Sequence, residues 1–183
     1  MRILALVASI AFALPAHAAG KFTLRSADVK PGATLTDQQV FNGFGCSGAN
    51  VSPQLAWSNP PAGTRSFVVT VYDPDAPTGS GWWHWVVYNI PATTAELVQG
   101  SGSGKAPLPA GAAQGRTDFG APGFGGACPP VGDRPHRYVF TVFALKVEKL
   151  EVAADASPAL IGFMTRGNSL GSASFTATYG RKK

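Results

Sequence analysis

The stretch HRYVFTVFAL, residues 136–145, decides the fold class. Its apolar residues fall into two alternating sets, namely Tyr138, Phe140, Val142 and Ala144 against Val139, Phe143 and Leu145. Because successive side chains of a strand point to opposite faces, both faces of this strand are mostly apolar. The pattern predicts a central strand that is buried on two sides.

Four other segments have the same β-branched and aromatic composition. They are RSFVVTVYD (65–73), WWHWVVYNI (82–90), SASFTATYG (172–180) and, as a first strand, KFTLRSADV (21–29). An Asp-Pro turn follows the first of these segments, and Pro91 stops the second. Many strands at short spacing, separated by turn signals, predict a mainly β protein with a β-sandwich architecture.

A few short helices are expected beside the strands. The best candidate lies near residues 157–166, where Ser157 is an N-cap and Pro158 takes the first helical position. Gly167 is the candidate for the residue that ends this helix. A second short helix is expected near Ala92–Val98.

Residues 99–130 form a long segment of Gly, Pro, Ala and Ser that leads into Cys128-Pro129-Pro130. A loop of this length inside a compact domain is unusual and tends to be functional, although a flexible linker has the same composition. We expect its second half to be ordered, because a disulfide at Cys128 would hold it.

The first 18 residues are typical of a secretory signal peptide. Arg2 precedes an apolar run from Ile3 to Leu14, and the small-x-small sequence Ala16-His17-Ala18 suits cleavage after Ala18. The run is too short to span a bilayer permanently, and no transmembrane segment is expected elsewhere. We therefore expect an exported protein whose mature part, residues 19–183, is one domain.

The charge pattern excludes one class of function. The formal net charge of the whole chain is +5, but the Lys and Arg residues are spread out. The only tight run, Arg181-Lys182-Lys183, is expected to be a solvated tail. No stripe of basic residues interleaved with aromatics is present, so nucleic-acid binding is not expected.

The chain has two cysteines, Cys46 and Cys128. In an exported protein an even pair favours a disulfide, whereas two buried free thiols are the alternative. The absence of a CxxC motif gives no indication of a redox-active dithiol or a zinc knuckle.

The polar residues with chemical potential lie at strand ends. Asp73 and Asp75 follow one predicted strand, while His84 and His136 lie near the starts of two others. If these strands are neighbours in one sheet, their ends converge at one rim and the four side chains share a concave site.

Enzyme functions find little support in the sequence. No GxSxG elbow for a serine nucleophile is present, and a nucleophilic Cys128 conflicts with its expected disulfide. Two histidines and one aspartate suit a metal, but they lack a spacing such as HExxH. Structural roles are also open: Asp73 as a turn residue, and His84 as a core histidine among tryptophans.

Several spaced motifs resemble the phosphatidylethanolamine-binding protein family, in particular its bacterial branch of Raf-kinase-inhibitor-like proteins. They are FNGFGCSGANVSPQLAW (41–57), YDPDAP (72–77), WWHWVVYNIP (82–91), GRTDFG (115–120), GGACPPVGDRPHRYVFTVFAL (125–145) and ATYGR (177–181). They occur in the family's order through the whole mature chain. One departure is Ala127, where the bacterial branch usually has proline.

The resemblance implies two antiparallel sheets with Greek-key connections and a small anion-binding pocket at one rim. Matched position by position, the pocket comprises Asp73, Asp75, Trp82, His84, Gly126, His136 and Tyr138. The family is associated with phosphate head groups and with inhibition of kinases or proteases, not with catalysis. No cofactor or metal is implied.

These observations predict an exported, non-catalytic protein that binds a small anionic ligand: phosphate, a phosphate-bearing head group or a carboxylate. Two imidazoles and N–H groups of the glycine loop would hold the anion. The protein could also inhibit or modulate a protein target, and a weak metal-dependent hydrolase is the remaining alternative. By analogy with the bacterial branch, the expected compartment is the periplasm.

Overall fold

The computed structural model describes residues 20–183, so the predicted signal peptide lies outside the described residues. Ten strands and one α-helix form the framework. The strands are β1 (Thr23–Arg25), β2 (Asn42–Gly43), β3 (Cys46–Ser47), β4 (Leu55–Ser58), β5 (Ser66–Asp73), β6 (Trp82–Pro91), β7 (Glu96–Leu97), β8 (Ala113–Gln114), β9 (His136–Leu145) and β10 (Ser169–Tyr179). The helix, α1, spans Pro158–Asn168.

The largest sheet has five antiparallel strands in the order β10-β9-β5-β6-β8. The strand β9 lies inside this sheet and begins and ends where the sequence predicts. The side chains of Tyr138, Phe140, Val142 and Ala144 are buried on one of its faces. On its other face Val139, Thr141 and Phe143 are partly buried. The two-sided apolar pattern therefore correctly predicts an interior strand with one neighbour on each side, although β5 is the middle strand of the sheet.

A second, three-stranded antiparallel sheet has the order β1-β4-β7. One apolar cluster joins the two sheets, since it contains Leu24, Leu55 and Trp57 together with Phe67 and Phe140 of the larger sheet. A separate hairpin of β2 and β3 is an additional two-stranded sheet. The mainly β fold of antiparallel sheets is confirmed, while the Greek-key sandwich stays a prediction.

The helix α1 covers the opposite face of the five-stranded sheet, where Ile161 packs with Val68 and Val86. Ser157 caps it as predicted, because its Oγ accepts a hydrogen bond from the Leu160 N–H. The prediction that Gly167 ends the helix is wrong. The helix continues to Asn168, and Ser169 passes directly into β10 in an extended conformation, so no left-handed residue is needed.

Two predicted elements differ from the structure. Residues Ala92–Val98 form no helix; they form a turn followed by β7, whose Leu97 pairs with Leu55 and is buried in the core. The predicted strand 21–29 is shorter, because pairing with β4 is confined to Thr23–Arg25. In both regions the partner strand determines the element.

The glycine-rich segment 99–130 is tied to the body at several points. Residues Ser101–Ser103 form a short 3₁₀ helix, and β8 pairs with β6. Its second half is held by bridges from Arg116 to Pro122 and from Val40 to Ala127. Phe124, in the same half, is buried in the core.

Candidate anion-binding site

Three neighbouring strands bring the predicted polar residues to one rim of the five-stranded sheet. Because the strands are antiparallel, the end of β5 lies beside the starts of β6 and β9. Asp73 is paired with Trp82, and His136 with Tyr179. The sequence-based expectation that these strand ends converge is confirmed.

A cavity of about 170 Å³ opens at this rim. Five of the seven predicted site residues line it: Asp73, Trp82, His84, His136 and Tyr138. Its remaining walls are mainly apolar and come from Phe44, Ala76, Pro77, Thr78, Phe119, Cys128, Pro129 and Pro130. The volume is below the usual range for drug-sized ligands, so the cavity suits a small molecule or head group.

Asp73 is buried and its carboxylate is largely engaged within the protein. Oδ1 accepts hydrogen bonds from the N–H groups of Asp75 (2.8 Å) and Ala76 (3.1 Å). Oδ2 lies 2.7 Å from Nδ1 of His136. Asp73 is therefore both the turn residue and the group that orients an imidazole in the cavity.

His136 is buried between two carboxylates. Its Nδ1 faces Asp73, and its Nε2 lies 3.4 Å from Oδ2 of Asp133, whose side chain is 42% exposed. The Nε2 contact is long for a hydrogen bond, so Asp73 is the partner that fixes the ring.

One ring nitrogen of His84 is hydrogen-bonded within the protein. Its Nδ1 lies 2.7 Å from the carbonyl oxygen of Gly125, a geometry in which Nδ1–H donates. Burial lowers the pKa of His84 below its ordinary value; the Gly125 carbonyl and the Asp73 carboxylate oppose that effect only in part. At neutral pH the ring is uncharged, and Nε2 is a hydrogen-bond acceptor.

Tyr138 contributes a buried hydroxyl that has no hydrogen-bond partner in residues 20–183. Burial raises its pKa well above the ordinary value, and the negative charge of Asp73 adds to the effect. The hydroxyl thus keeps its proton and is a free donor. A buried donor without a partner costs stability, and a ligand acceptor in the cavity would remove that cost.

Asp75 does not line the cavity, contrary to the prediction. Its carboxylate forms a two-point ion pair with Arg137 (2.8 and 2.9 Å) and contacts Arg134 at 3.0 Å. The hydrogen bonds from Arg137 lower its pKa to about 2. Asp75 therefore joins the turn after β5 to the start of β9 and is unavailable to a ligand.

Gly126 also lies outside the cavity. Its N–H donates to Oδ1 of Asn50 (2.7 Å), and the N–H groups of Gly125 and Ala127 donate to carbonyls of His84 and Gln39. These three N–H groups are therefore engaged within the protein, and the expectation that the glycine loop holds an anion stays a prediction. Glycine is needed for packing, because a Cβ at position 126 would lie 2.3 Å from the Gln39 carbonyl oxygen.

Sequence reasoning missed the two phenylalanine walls, Phe44 and Phe119. Their rings stack with centroids 5.9 Å apart, and Phe119 meets Trp82 edge-on at 5.4 Å. An aromatic residue between two glycines immediately before Cys46 was the available signal for Phe44. Phe119 had no comparable signal, since its place depends on how residues 99–130 fold.

The predicted disulfide between Cys46 and Cys128 is present, with Cα atoms 6.0 Å apart, and Cys128 lines the cavity. Beside it, Arg181 donates hydrogen bonds to the carbonyls of Gly45 (2.8 Å) and Pro129 (3.3 Å). Arg181 is therefore part of the cavity's support, and the prediction of a solvated tail holds only for Lys182 and Lys183.

Two further observations concern function. Within residues 20–183 no group of three or more His, Cys, Asp or Glu side chains is placed to hold a metal ion. In the same part of the chain no helix is both long enough and apolar enough to cross a membrane.

Comparison with known proteins shows extensive similarity. The chain is 52% identical over 180 residues to the UPF0098 protein YbcL of Escherichia coli, covering 98% of both chains. It is 39% identical over 133 residues to the putative lipoprotein LppC of Mycobacterium tuberculosis, covering 73% of this chain and 60% of LppC.

The fold is similar to the crystal structure of Escherichia coli YbcL, described as a new member of the mammalian PEBP family. The TM-score is 0.85 at 55% identity, over 88% of this chain and 99% of the YbcL chain. The sequence model for phosphatidylethanolamine-binding proteins matches residues 25–180. The chain therefore belongs to the phosphatidylethanolamine-binding protein family.

Proposed function

We propose that the rim cavity binds a small anionic ligand, either phosphate, a phosphate-bearing head group or a carboxylate, and that the protein does so without catalysis. The observation that carries this proposal is the Tyr138 hydroxyl, a buried donor with no partner among the described residues, in a cavity that also contains two imidazoles. An anionic oxygen is the natural acceptor for such a donor.

The charges in the cavity favour an anion that still carries a proton. The Asp73 carboxylate faces the His136 ring at 2.7 Å, and His84 adds no positive charge because burial lowers its pKa. A dianion would therefore meet Asp73 with little net positive charge to offset the repulsion. A protonated ligand oxygen can donate to Nε2 of His84, while an unprotonated oxygen accepts from Tyr138.

The side chains in the cavity support a non-catalytic role. The sulfur of Cys128 is bonded to Cys46 in the disulfide, and the Thr78 hydroxyl donates a hydrogen bond to the Gly81 carbonyl. The Tyr138 hydroxyl keeps its proton because its pKa is raised. None of these three groups is an activated nucleophile.

Export is part of the proposal. The Cys46–Cys128 disulfide and the similarity to a relative named as a lipoprotein are both compatible with export. Together with the signal-peptide pattern of the first 18 residues, they support the periplasm as the place of action.

A titration of the purified protein with inorganic phosphate, followed by NMR of the imidazole resonances, tests the binding proposal. We expect the resonances of His84 and His136 to shift, and Tyr138→Phe to weaken phosphate binding by roughly tenfold, which corresponds to one lost hydrogen bond. Tyr88→Phe is a matched control, since Tyr88 is buried in the other apolar cluster.

Imidazole resonances that do not move with phosphate or phosphoethanolamine would show that the proposal is wrong. Equal affinities for Tyr138→Phe and Tyr88→Phe would remove Tyr138 from the site. Tighter binding as the ligand loses its second proton would contradict the preference for a protonated anion.

The same cavity could accept an anionic side chain of another protein, which would make this protein a modulator. The position of Phe44, on the cavity wall and 70% exposed, favours a contact at the rim. Competition between free phosphate and a phosphorylated peptide, monitored at His84, tests this role. If a phosphopeptide leaves His84 unaffected while phosphate shifts it, the modulator role through the cavity is excluded.

A further inference from the structure

Asn50 connects the loop before β4 to the glycine-rich segment beside the rim cavity. Its Oδ1 accepts a hydrogen bond from the Gly126 N–H (2.7 Å), and its Nδ2 donates to the Phe124 carbonyl (3.2 Å). Both halves of the amide are therefore engaged, and they hold the chain on either side of Gly125. The reverse orientation of the amide is excluded, because it would set donor against donor and acceptor against acceptor.

The backbone directs the Asn50 side chain towards that segment. Its φ angle of 50° lies in the left-handed region, which asparagine tolerates better than most residues. The Asn50 N–H donates to the Val40 carbonyl (2.9 Å), and Val40 is bridged to Ala127. The amide thus extends from a backbone that is itself joined to the glycine-rich segment.

Two peptide groups link the Asn50 amide to His84. The Gly126 N–H and the Gly125 carbonyl belong to one peptide group, and that carbonyl lies 2.7 Å from Nδ1 of His84. The Phe124 carbonyl and the Gly125 N–H belong to the preceding one, and that N–H donates to the His84 carbonyl (2.8 Å). Because a trans peptide group is planar, with its N–H and C=O pointing in opposite directions, holding one end fixes the other.

The peptide group between Gly125 and Gly126 needs such a contact. Glycine has no Cβ, so the backbone at these two positions has access to more conformations than other residues allow. A rotation of this peptide group by half a turn would point an N–H, instead of a carbonyl, at Nδ1 of His84. Nδ1 would then be the acceptor, and the ring proton would lie on Nε2. The orientation of one peptide group therefore decides which ring nitrogen carries the proton.

The titratable groups around His84 leave this decision to the Gly125 carbonyl. Asp73 and Asp118 act on the ring through their charge, but their carboxylates hydrogen-bond other groups. The Tyr138 ring meets the His84 ring edge-on at 5.1 Å, and His136 lines the same cavity. Among the described residues, the hydrogen bond made by the His84 ring is the one to Gly125.

We propose that Asn50 is a positioning residue for the rim cavity: through these peptide groups it places the His84 proton on Nδ1 and leaves Nε2 as an acceptor. Asn50 does not line the cavity, so it acts through His84. The consequence for the ligand rests on the proposed function. An anion that still carries a proton can donate to Nε2, whereas a fully deprotonated anion offers only acceptors.

Nitrogen NMR of the isotope-labelled, ligand-free protein at neutral pH tests this role, because protonated and unprotonated ring nitrogens have well-separated shifts. We expect wild-type His84, assigned as the signal missing from H84N, to be protonated on Nδ1. Asn50→Gly removes both amide hydrogen bonds and keeps a residue that suits a positive φ. It should populate the Nε2–H tautomer and bind phosphate roughly fivefold more weakly.

Asn50→Asp separates the two amide contacts. A carboxylate oxygen still accepts from the Gly126 N–H, but it cannot donate to the Phe124 carbonyl. We expect this variant to lose stability and yet to keep the Nδ1–H tautomer. If Asn50 served stability alone, His84 would have the same tautomer in the Gly and Asp variants.

Asn89→Gly is the matched control. Asn89 also has a positive φ, of 58°, and its Oδ1 accepts a hydrogen bond from the Leu150 N–H (2.8 Å). Neither residue lines the cavity. Asn89→Gly should therefore lose stability while its His84 tautomer and phosphate affinity stay as in the wild type.

A wild-type His84 that carries its proton on Nε2 would overturn the positioning role without any variant. The wild-type tautomer in Asn50→Gly, or an equal tautomer change in Asn89→Gly, would also overturn it. The tautomer is read without ligand, so it is independent of the proposed function. If it responds to Asn50→Gly but phosphate does not bind the wild type, the positioning role stands and the ligand is rejected. Phosphate binding with an unresponsive tautomer would do the reverse.

Discussion

Nδ1 of His136 lies 2.7 Å from Oδ2 of Asp73, and both side chains are about 3% exposed. A buried contact of this kind couples the two residues energetically. We predict that D73N and H136Q are each destabilising and that their effects are not additive, with a coupling free energy of roughly 1–3 kcal/mol. Urea unfolding of both single variants and the double variant measures it; additive effects would show that the contact contributes nothing to stability.

The ion pair of Asp75 with Arg137 predicts a pH-dependent contribution to stability. The pKa of Asp75 is lowered from 3.8 to about 2 in the folded protein. Its contribution is therefore complete above the unfolded pKa and is lost as the pH falls through the folded pKa.

Because Arg137 is more than half exposed, solvent screening reduces the effect, and we expect D75N to cost about 1–2 kcal/mol at neutral pH. The difference between D75N and wild type should shrink as the pH approaches about 2. Denaturant unfolding over this pH range checks the prediction, and a constant difference would contradict it.

The lowered pKa of His84 predicts a loss of stability at a higher pH than that expected for Asp75. Its pKa is lowered by burial, so the unfolded chain takes up a proton at a higher pH than the folded protein does. Stability is then fully present above the unfolded pKa of about 6.5 and falls as the pH drops below that value. H84N should show a shallower decline between about pH 7 and pH 5 than wild type. Parallel stability profiles for the two proteins would refute this role of His84.

Two glycines give a paired prediction with opposite signs. Gly126→Ala places a Cβ 2.3 Å from the Gln39 carbonyl oxygen, and backbone there must shift, so we expect a loss of roughly 2 kcal/mol or more. At Gly162, inside α1, a Cβ meets nothing within 4 Å. Gly162→Ala should stabilise the protein by about 0.5–1 kcal/mol through helix propensity. Thermal unfolding distinguishes the two, and equal effects would contradict the packing argument.

The sequence predicts elements well where the pattern is local and regular. The strand β9 follows from its alternation alone, and α1 begins where Ser157 and Pro158 place it. The element around Leu97 could not be predicted, because a two-residue strand has no period and owes its form to pairing with Leu55. Local sequence patterns thus predict the long strands whose ends form the rim, but they do not predict the short strands around them.

The sequence motifs show which residues lie near the site more readily than they show what each residue contacts. Asp75 and Gly126 occupy matching motif positions, yet each serves a partner distant in sequence. Asp75 binds Arg137, 62 residues later, and Gly126 donates to Asn50, 76 residues earlier. A motif identifies such residues without showing which way their polar atoms point, and only the folded backbone decides whether a ligand can reach them.

The disulfide links completion of the cavity to the oxidation of two cysteines that are far apart in the sequence. Cys46 and Cys128 are separated by 82 residues, and their bond joins the Phe44 turn to a wall of the cavity. A chain held in a reducing compartment could form the sheet and bring His84 and His136 together, but its Phe44 turn would lack the covalent tether to the glycine-rich segment. Oxidation of the two cysteines would therefore complete the cavity wall, and under the proposed export this step would follow translocation.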